Sequence, residues 1–281
     1  MSKTPLDKIQ KLLEYNIPIK LSDKIPEKWE KIGNIAIIKL PSELYKYKSA
    51  IGKVYAQVLD CKTVLNDISG ITGEYRVPHV EILYGKKDTE TIHKENKIIY
   101  RLDPQKIMFS SGNMDERIRM ATISNKKETV VDLFAGIGYF TLPIAVYSKP
   151  KKIYACEKNP VAFNYLKQNI TLNNVNSIVE PLKGDNRKIA PKNVADRVIM
   201  GYFGKTNEFI STAINCLKNN CGIIHYHDKF PQENIPDKPL EIIKDSANKF
   251  NKQIKLLQYK QIKKYAPGIN HYVFDIKLVE K

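Results

Sequence analysis

The sequence contains little of what marks a secreted or membrane-embedded protein. Only four cysteines occur among its 281 residues, and no two of them form the Cys-x-x-Cys pair that is typical of zinc sites. No apolar run approaches the ~18 residues that a membrane-spanning helix needs. The opening Met-Ser-Lys-Thr-Pro lacks an apolar core, so we expect no signal peptide, no membrane partner and a cytoplasmic, reducing location.

Acidic residues are also scarce beside basic ones. The chain has 46 Lys and Arg against 30 Asp and Glu, which gives a formal net charge of +16. An enzyme of small acidic metabolites does not need this excess, whereas a protein that binds the phosphate backbone of a nucleic acid does. The alternative is a solvated surface of scattered lysines. The charge therefore favours, without proving, a polyanionic partner.

The pattern of apolar residues changes near residue 104. Residues 1–103 mix short strands, one clear helical period and glycine turns, which predicts a smaller α+β domain. Residues 104–281 alternate strands with helices, which predicts a parallel sheet with crossover helices. The last predicted strands, 255–265 and 271–279, are separated by a short Pro-Gly segment and should form an antiparallel hairpin. The expected fold class is α/β, with a Rossmann sheet ending in that hairpin.

The most informative segment is residues 128–140, Glu-Thr-Val-Val-Asp-Leu-Phe-Ala-Gly-Ile-Gly-Tyr-Phe. A buried strand ends at Asp132 and runs into a turn where Gly136 and Gly138, lacking Cβ atoms, let the backbone approach a ligand. The next strand ends at Glu157, whose carboxylate can accept from two ribose hydroxyls. The turn lacks the third glycine of the dinucleotide fingerprint. It looks like the S-adenosylmethionine turn of class I methyltransferases.

Other polar segments fall at predicted strand ends or helix starts. Asp185 and Asn186 follow the third strand of the sheet, where an open α/β sheet binds ligands and where both side chains can reach an adenine edge. An ordinary turn is the alternative for this pair. Ser110 precedes a helix predicted to begin near Asn113, which is a good N-cap. Arg117 and Arg119 lie in that helix, where a guanidinium can clamp a ligand carboxylate or can instead be solvated or bind phosphate.

A pair of histidines, His225 and His227, lies near the end of a predicted strand and should point to one face of it. Two imidazoles are too few to specify a metal, and the sequence offers no third ligand nearby. We therefore expect no metal and interpret the pair as structural or substrate-facing.

These segments resemble one family, the tRNA (guanine-37-N1) methyltransferases together with their relative, the wybutosine-synthesising tRNA aminocarboxypropyltransferase. The resemblance is strong from about Arg101 onward and weak over residues 1–100. It rests on seven segments: Met108–Asn113, Glu116–Met120, Val131–Gly138, Glu157–Pro160, Gly184–Asn186, His225–His227 and Tyr265–Pro267.

Two departures distinguish the branches of this family. The methyltransferase branch typically continues its fourth strand into Asn-Leu-Pro, where this chain has Gly201, Tyr202 and Phe203. The methyltransferases usually read His-Tyr-Tyr in the fifth strand, where this chain has His-Tyr-His at 225–227. Both departures resemble the aminocarboxypropyltransferase branch, and Tyr202 would then reshape the pocket.

The resemblance implies transfer of the 3-amino-3-carboxypropyl group of S-adenosylmethionine to 4-demethylwyosine at position 37 of phenylalanine tRNA. Ser110 and Arg117 would hold the methionine part of the donor, Glu157 the ribose, and Asp185 with Asn186 the adenine. The partner would be phenylalanine tRNA at its anticodon region, and the first domain would contact this tRNA, either on its body or only at the anticodon arm. No general base or other catalytic residue is identified.

Two other functions remain open at this stage. One is methyl transfer to guanine-37 or to the tricyclic base, and the other is a non-catalytic RNA-binding module with a vestigial pocket. A monomer is the favoured oligomeric state.

Overall fold

The structure, a computed structural model, describes residues 4–281. The first three residues of the opening stretch considered above lie outside the described residues. The chain forms two compact units, one ending at Ser111 and the other beginning at Gly112. Within residues 4–281, no helix has both the length and the apolar character required to span a membrane.

The first unit contains a four-stranded sheet of order β1-β2-β3-β4 and a separate hairpin, β5-β6. The strands β2 and β3 are parallel, and the other neighbours in both sheets are antiparallel. Two α-helices and two 3₁₀ helices complete the unit before residue 110. The bounds are α1 Pro5–Leu13, β1 Trp29–Ile32, β2 Ile35–Ile38, α2 Lys48–Leu59, β3 Thr63–Thr72, β4 Val77–Gly85, β5 Thr91–Glu95 and β6 Ile98–Leu102, with 3₁₀ helices at Ile19–Lys24 and Ser42–Tyr47.

Helix α1 illustrates how local sequence fixes this unit. Thr4 accepts from the backbone N–H of Asp7, and the Asp7 side chain accepts in return from the Thr4 N–H at 2.8 Å, which makes a capping box. Ile9 and Leu13 lie four residues apart on one face and are fully buried in a core shared with α2. The helix is therefore oriented by one apolar stripe.

The second unit is built on a seven-stranded sheet of order β12-β13-β11-β10-β7-β8-β9. Strand β13 is antiparallel to both of its neighbours, while β11, β10, β7, β8 and β9 run parallel. The predicted α/β class with a terminal antiparallel hairpin is confirmed. The bounds are α3 Met114–Met120, β7 Thr129–Asp132, α4 Thr141–Tyr147, β8 Lys152–Glu157, α5 Pro160–Leu172, β9 Val179–Lys183, α6 Asn186–Ile189, β10 Arg197–Met200, α7 Ile210–Cys216, β11 Gly222–Pro231, α8 Asp237–Asn248, β12 Lys252–Ala266 and β13 Ile269–Glu280.

The parallel strands place several polar segments along one edge of this sheet. The carboxyl ends of β7, β8, β9 and β10 meet there, and the glycine turn begins directly after β7. Beyond Asp132 the turn stays attached to the sheet, since Leu133 N–H donates to Ile199 O at 3.0 Å and Ala135 N–H donates to Cys156 O at 2.9 Å. This is the edge at which open α/β sheets bind ligands.

Two local expectations differ from the structure. Asn113 does occupy the position before α3, but its side chain makes no capping hydrogen bond. The strand that contains His225 and His227 extends to Pro231, so the two histidines lie within the strand rather than near its end. The longer strand results from pairing with β13, which continues along β11 as far as the pair Pro231–Ile269.

Candidate active site

The turn after β7 needs glycine at two positions. Gly136 has φ +57°, and a Cβ there would lie 2.5 Å from the ring of Tyr139. Gly138 has φ +102°, and its Cβ would lie 2.6 Å from the Leu142 side chain. Both the left-handed backbone and the missing space exclude a larger side chain. The structure thus requires glycine at both positions, and the approach of a ligand to this backbone stays a prediction.

Glu157 reaches from the end of β8 to this turn. Its Oε2 accepts from Gly136 N–H at 2.7 Å, and its Oε1 accepts from Asn159 N–H at 2.6 Å. Burial raises the pKa of this carboxyl, while the backbone hydrogen bonds oppose the rise. Each carboxylate oxygen still has acceptor capacity after one bond. The side chain is therefore fixed and able to accept further hydroxyl donors.

Asp132 supports the turn from inside the sheet. Its side chain is fully buried and accepts from Thr141 Oγ at 2.7 Å and from Phe134 N–H at 3.2 Å. Burial raises its pKa to about 6. On the far side of the turn, the buried Asn169 of α5 donates to Ile137 O at 3.1 Å. These two residues hold the turn, and Asn169 was not identified from the sequence.

Asn186 carries an acceptor that nothing in the described chain uses. Its Nδ2 donates to Leu133 O at 2.8 Å, which places the amide beside the start of the turn. Its Oδ1 is buried and has no hydrogen-bond partner among residues 4–281. Since buried polar atoms are normally paired, this oxygen is suited to accept from a ligand N–H.

Asp185 precedes Asn186 and caps α6. Its Oδ1 accepts from Arg187 N–H at 3.1 Å, and its carboxylate is paired with the Arg187 guanidinium at 2.9 and 2.6 Å. These Arg187 hydrogen bonds hold the pKa of Asp185 well below its usual range. The group is therefore a carboxylate at any cellular pH and can only accept hydrogen bonds.

The remaining expected ligands lie in different units. Ser110 is half-buried near the end of the first unit, and Arg117 is buried in α3 of the second. The neighbouring Arg119, also considered from the sequence, is already engaged. It pairs with both oxygens of Glu116 at 2.7 and 2.8 Å and with Asp275 at 2.7 Å.

Arg119 belongs to a charged cluster that we define as Glu116, Arg119, Arg197, His225 and Asp275. His225 Nδ1 contacts Asp275 Oδ1 at 2.5 Å, and its Nε2 contacts Arg197 Nη1 at 2.8 Å. Burial lowers the pKa of His225, although its contact with Asp275 opposes the fall. Burial acts to raise the pKa of Asp275, but bonds from His225 and Arg119 hold it well below its usual range. Both nitrogens of His225 are thus used inside the protein.

Two further imidazoles, which we call the histidine pair, are His227 in β11 and His271 in β13. Their nitrogens Nδ1 and Nε2, respectively, are 3.2 Å apart, and both residues are at most 1% exposed. Neither His227 Nε2 nor His271 Nδ1 has a hydrogen-bond partner among the described residues. Burial lowers the pKa of both, to about 3 for His271. His271 was not identified from the sequence.

Aromatic rings connect the histidine pair to the glycine turn. Phe140, just after the turn, stacks on His227 with ring centroids 5.1 Å apart. A Cβ on Gly201 would lie 2.8 Å from the Phe140 ring. Phe203 meets His271 edge-on at 4.4 Å. The departures seen in the sequence at 201–203 and 225–227 therefore meet in one place.

Tyr202 lies on the other side of this segment. Its ring stacks on Phe134 at 4.9 Å, and Phe209 meets Phe134 edge-on at the same distance. All three rings are half-buried, so the segment after β10 is held to the start of the glycine turn by aromatic contacts.

The histidines, cysteines and carboxylates of the described residues form neither a metal centre nor a disulfide. Within residues 4–281, no group of three or more His, Cys, Asp and Glu side chains is arranged to hold a metal ion. The four cysteines are free thiols, and Cys156 is fully buried in β8.

Known proteins match this chain along most of its length. A family model described as the TRM5/TYW2 methyltransferase domain matches residues 91–257, and one described as the TYW2 N-terminal domain matches residues 9–89. The chain is 47% identical over 250 residues to a Methanocaldococcus jannaschii protein named tRNA(Phe) (4-demethylwyosine(37)-C(7)) aminocarboxypropyltransferase, covering 89% of this chain and 97% of that protein.

Relatives from both branches are similar in sequence or structure. The crystal structure of Pyrococcus horikoshii TYW2 in complex with MeSAdo has a TM-score of 0.88 and 41% identity, covering 98% of this chain and 100% of that one. The tRNA (guanine(37)-N(1))-methyltransferase Trm5b of Pyrococcus abyssi is 39% identical over 264 residues, covering 94% of this chain and 78% of that protein. The extent of the family-model match and of these identities shows that the chain belongs to the TRM5/TYW2 methyltransferase family.

Proposed function

We propose that this chain transfers the 3-amino-3-carboxypropyl group of S-adenosylmethionine to 4-demethylwyosine at position 37 of phenylalanine tRNA. It is a transferase with S-adenosylmethionine as donor, in line with the activity named for its 47% identical relative. The structural observation that carries the choice of reaction is Gly201. A side chain there would meet the Phe140 ring at 2.8 Å, so the asparagine of the methyltransferase branch does not fit while Phe140 keeps its place.

The chemistry explains why such a packing difference matters. The sulfonium activates both the methyl carbon and the γ-methylene of the aminocarboxypropyl arm, and the methyl is the less hindered. The reacting carbon is the one held in line with the acceptor, at roughly 3–3.5 Å. Phe140 follows the glycine turn directly and is accommodated only because residue 201 is glycine. We therefore propose that Phe140 helps to determine that the γ-methylene, and not the methyl carbon, is the carbon that reacts.

The donor-binding roles fit the chemistry of the residues that would hold it. Glu157 has acceptor capacity for the two ribose hydroxyls, and Asn186 Oδ1 is an unused acceptor suited to the adenine amine. Asp185, permanently ionised beside Arg187, is assigned to the same amine edge. Arg117 and Ser110 are assigned to the methionine carboxylate.

A double-label experiment tests the reaction. The protein is incubated with tRNA bearing 4-demethylwyosine and with donor labelled by carbon-14 in the carboxyl and tritium in the methyl. We expect carbon-14 in the tRNA and tritium in methylthioadenosine. Tritium in the tRNA with S-adenosylhomocysteine as co-product would establish the alternative, methyl transfer. Cofactor-independent tRNA binding without either product would establish an RNA-binding module.

The proposed partner is the anticodon region of phenylalanine tRNA, in the cytoplasm, with the protein as a monomer. The net charge of +16 supports a polyanionic partner. If phosphate contacts provide the affinity, the logarithm of the binding constant falls linearly with the logarithm of salt concentration. Binding that does not change between low and moderate salt would exclude this partner. The proposal that the protein is a monomer is tested separately, by light scattering on the free protein.

A further inference from the structure

The proposed reaction releases a proton that needs a recipient. The ring carbon of the acceptor forms a bond to the donor methylene, and the electron pair of the broken carbon–sulfur bond stays on sulfur. The acceptor ring is then cationic and still carries its original hydrogen. Loss of that hydrogen as H⁺ returns the C–H electron pair to the ring and restores its aromaticity.

The histidine pair is placed to take part in this step. His227 in β11 stacks on Phe140, which follows the glycine turn, and His271 at the start of β13 meets Phe203, which follows β10. His227 thus belongs to one of the two segments that distinguish this chain from the methyltransferase branch, 225–227, and His271 contacts the other, 201–203, through Phe203. For this role the acceptor ring must take the place of the Phe203 ring beside His271.

The contacts of the pair determine which nitrogens carry hydrogen. His227 Nε2 lies 3.6 Å from Glu116 Oε1, beyond hydrogen-bond distance but close enough that a carboxylate favours N–H over a lone pair. His227 Nδ1 is then an acceptor, so the facing His271 Nε2, 3.2 Å away, must be the donor. The remaining nitrogen, His271 Nδ1, carries a lone pair without a partner among the described residues.

We infer that His271 Nδ1 receives the proton released from the acceptor ring carbon, with Glu116 and His227 fixing its tautomer. The inference rests on the proposed function. After transfer, His271 is an imidazolium whose Nε2–H still donates to His227 Nδ1. Return of the proton to water on product release restores the starting tautomer.

The surroundings keep His271 in the unprotonated form that a base needs. Burial lowers the pKa of His271 to about 3, with Lys263 adding to the effect, so the imidazole is neutral at cellular pH. His227 is kept neutral by burial and by His271, Arg119 and His225, against the opposing charge of Asp275. A weak base is sufficient here, because a cationic aromatic ring is a strong carbon acid.

The test compares His271→Gln with the wild type on tRNA whose acceptor carries deuterium at the reacting carbon. Glutamine can still donate to His227 but has no basic nitrogen. We expect kcat to fall about 10²-fold, at the low end of the range for a positioned base. We also expect a primary deuterium isotope effect in the variant, because proton loss becomes rate-limiting. Wild type should show little isotope effect if carbon–carbon bond formation limits its rate.

A control and a second measurement make the inference falsifiable on its own. His225→Gln removes an equally buried imidazole whose nitrogens are both engaged, and it should not create an isotope effect even if it lowers activity. Long-range proton–nitrogen NMR of the donor-free protein should show His271 protonated on Nε2 and not on Nδ1. The opposite tautomer, or His271→Gln with near-normal kcat and no isotope effect, would overturn the inference. Absence of methylthioadenosine from wild type would instead overturn the proposed function.

Discussion

His225 and His227 lie two residues apart on the same strand and are equally buried, yet their surroundings differ. Each nitrogen of His225 is bonded within the charged cluster, to Asp275 and to Arg197. His227 instead faces the imidazole of His271 and keeps one unpartnered nitrogen. A buried polar atom without a partner costs roughly 1–3 kcal/mol. The comparison separates groups whose hydrogen-bonding atoms are all used within the protein from those with an unused atom, to which we assign the proposed binding of ligand or proton.

The largest expected effect is on stability, and it concerns the charged cluster around His225. Asp275→Ala removes the carboxylate that Arg119 and His225 contact. Both side chains then stay buried without this partner. Breaking a buried ion pair typically costs 3–5 kcal/mol, so we expect a large fall in melting temperature. Lys218→Ala, which breaks the exposed pair with Asp196, is the control and should change stability by less than about 1 kcal/mol. Similar effects of the two changes would contradict a structural role for the charged cluster.

The next effect concerns the donor site. Glu157→Ala removes the carboxylate that accepts from Gly136 and is proposed to accept from ribose. At about 1.5–3 kcal/mol for each hydrogen bond to a charged group, two lost ribose bonds weaken binding about 10²-fold or more. Calorimetry with S-adenosylhomocysteine measures this. Glu180→Ala, in an exposed pair with Lys152, should bind normally, and unchanged binding by Glu157→Ala would remove Glu157 from the site.

A pH titration of stability separates the histidine pair from ordinary histidines. The folded pKa of His271 lies at about 3, below an unfolded value of about 6.5. The unfolded chain therefore binds more protons as the pH falls below 6.5, and stability decreases by about 1.4 kcal/mol per pH unit for such a group. His271→Gln should flatten this decrease in urea unfolding between pH 6.5 and 5. An unchanged slope would mean that His271 is readily protonated in the folded protein.

The smallest expected effect is at Asn186. Asn186→Ala removes the unused Oδ1 and leaves Leu133 O without its donor. One neutral hydrogen bond contributes about 1 kcal/mol, so we expect adenosine affinity to fall several-fold and stability to fall slightly. Asn173→Ala, at the end of α5, serves as the matched amide control. Equal affinity of the two variants for adenosine would show that Asn186 Oδ1 does not contact the base.

Sequence spacing predicted the parts of the site that are local. Gly136, Gly138 and Glu157 follow directly from strand ends and turn chemistry, and each lies where the pattern indicated. Strand β5 shows where such patterns fail, because the side chains it buries are polar. Thr91 and Glu95 face inward, so the apolar alternation that predicts a strand is absent. Periodicity is reliable only where burial and hydrophobicity coincide.

The histidine pair could not be predicted, because it depends on register between distant strands. His227 pairs with Val273 and His271 pairs with Lys229 across β11 and β13. The two imidazoles meet only because β13 runs antiparallel in this register, and a one-residue slip would turn them to opposite faces. For the same reason the sequence could not predict that Arg119 pairs with Asp275 on β13.

The position of β13 has a consequence for the order of synthesis. This strand, Ile269–Glu280, lies inside the sheet between β11 and β12 although it follows both in the chain. A nascent chain that ends before residue 269 already contains the glycine turn and Glu157, but it lacks Asp275 and His271. Translation therefore supplies the residues proposed for holding the donor first and those proposed for taking up the proton last. The proposed roles therefore require that Ile269–Glu280 has emerged from the ribosome and paired between β11 and β12 before the full reaction can proceed.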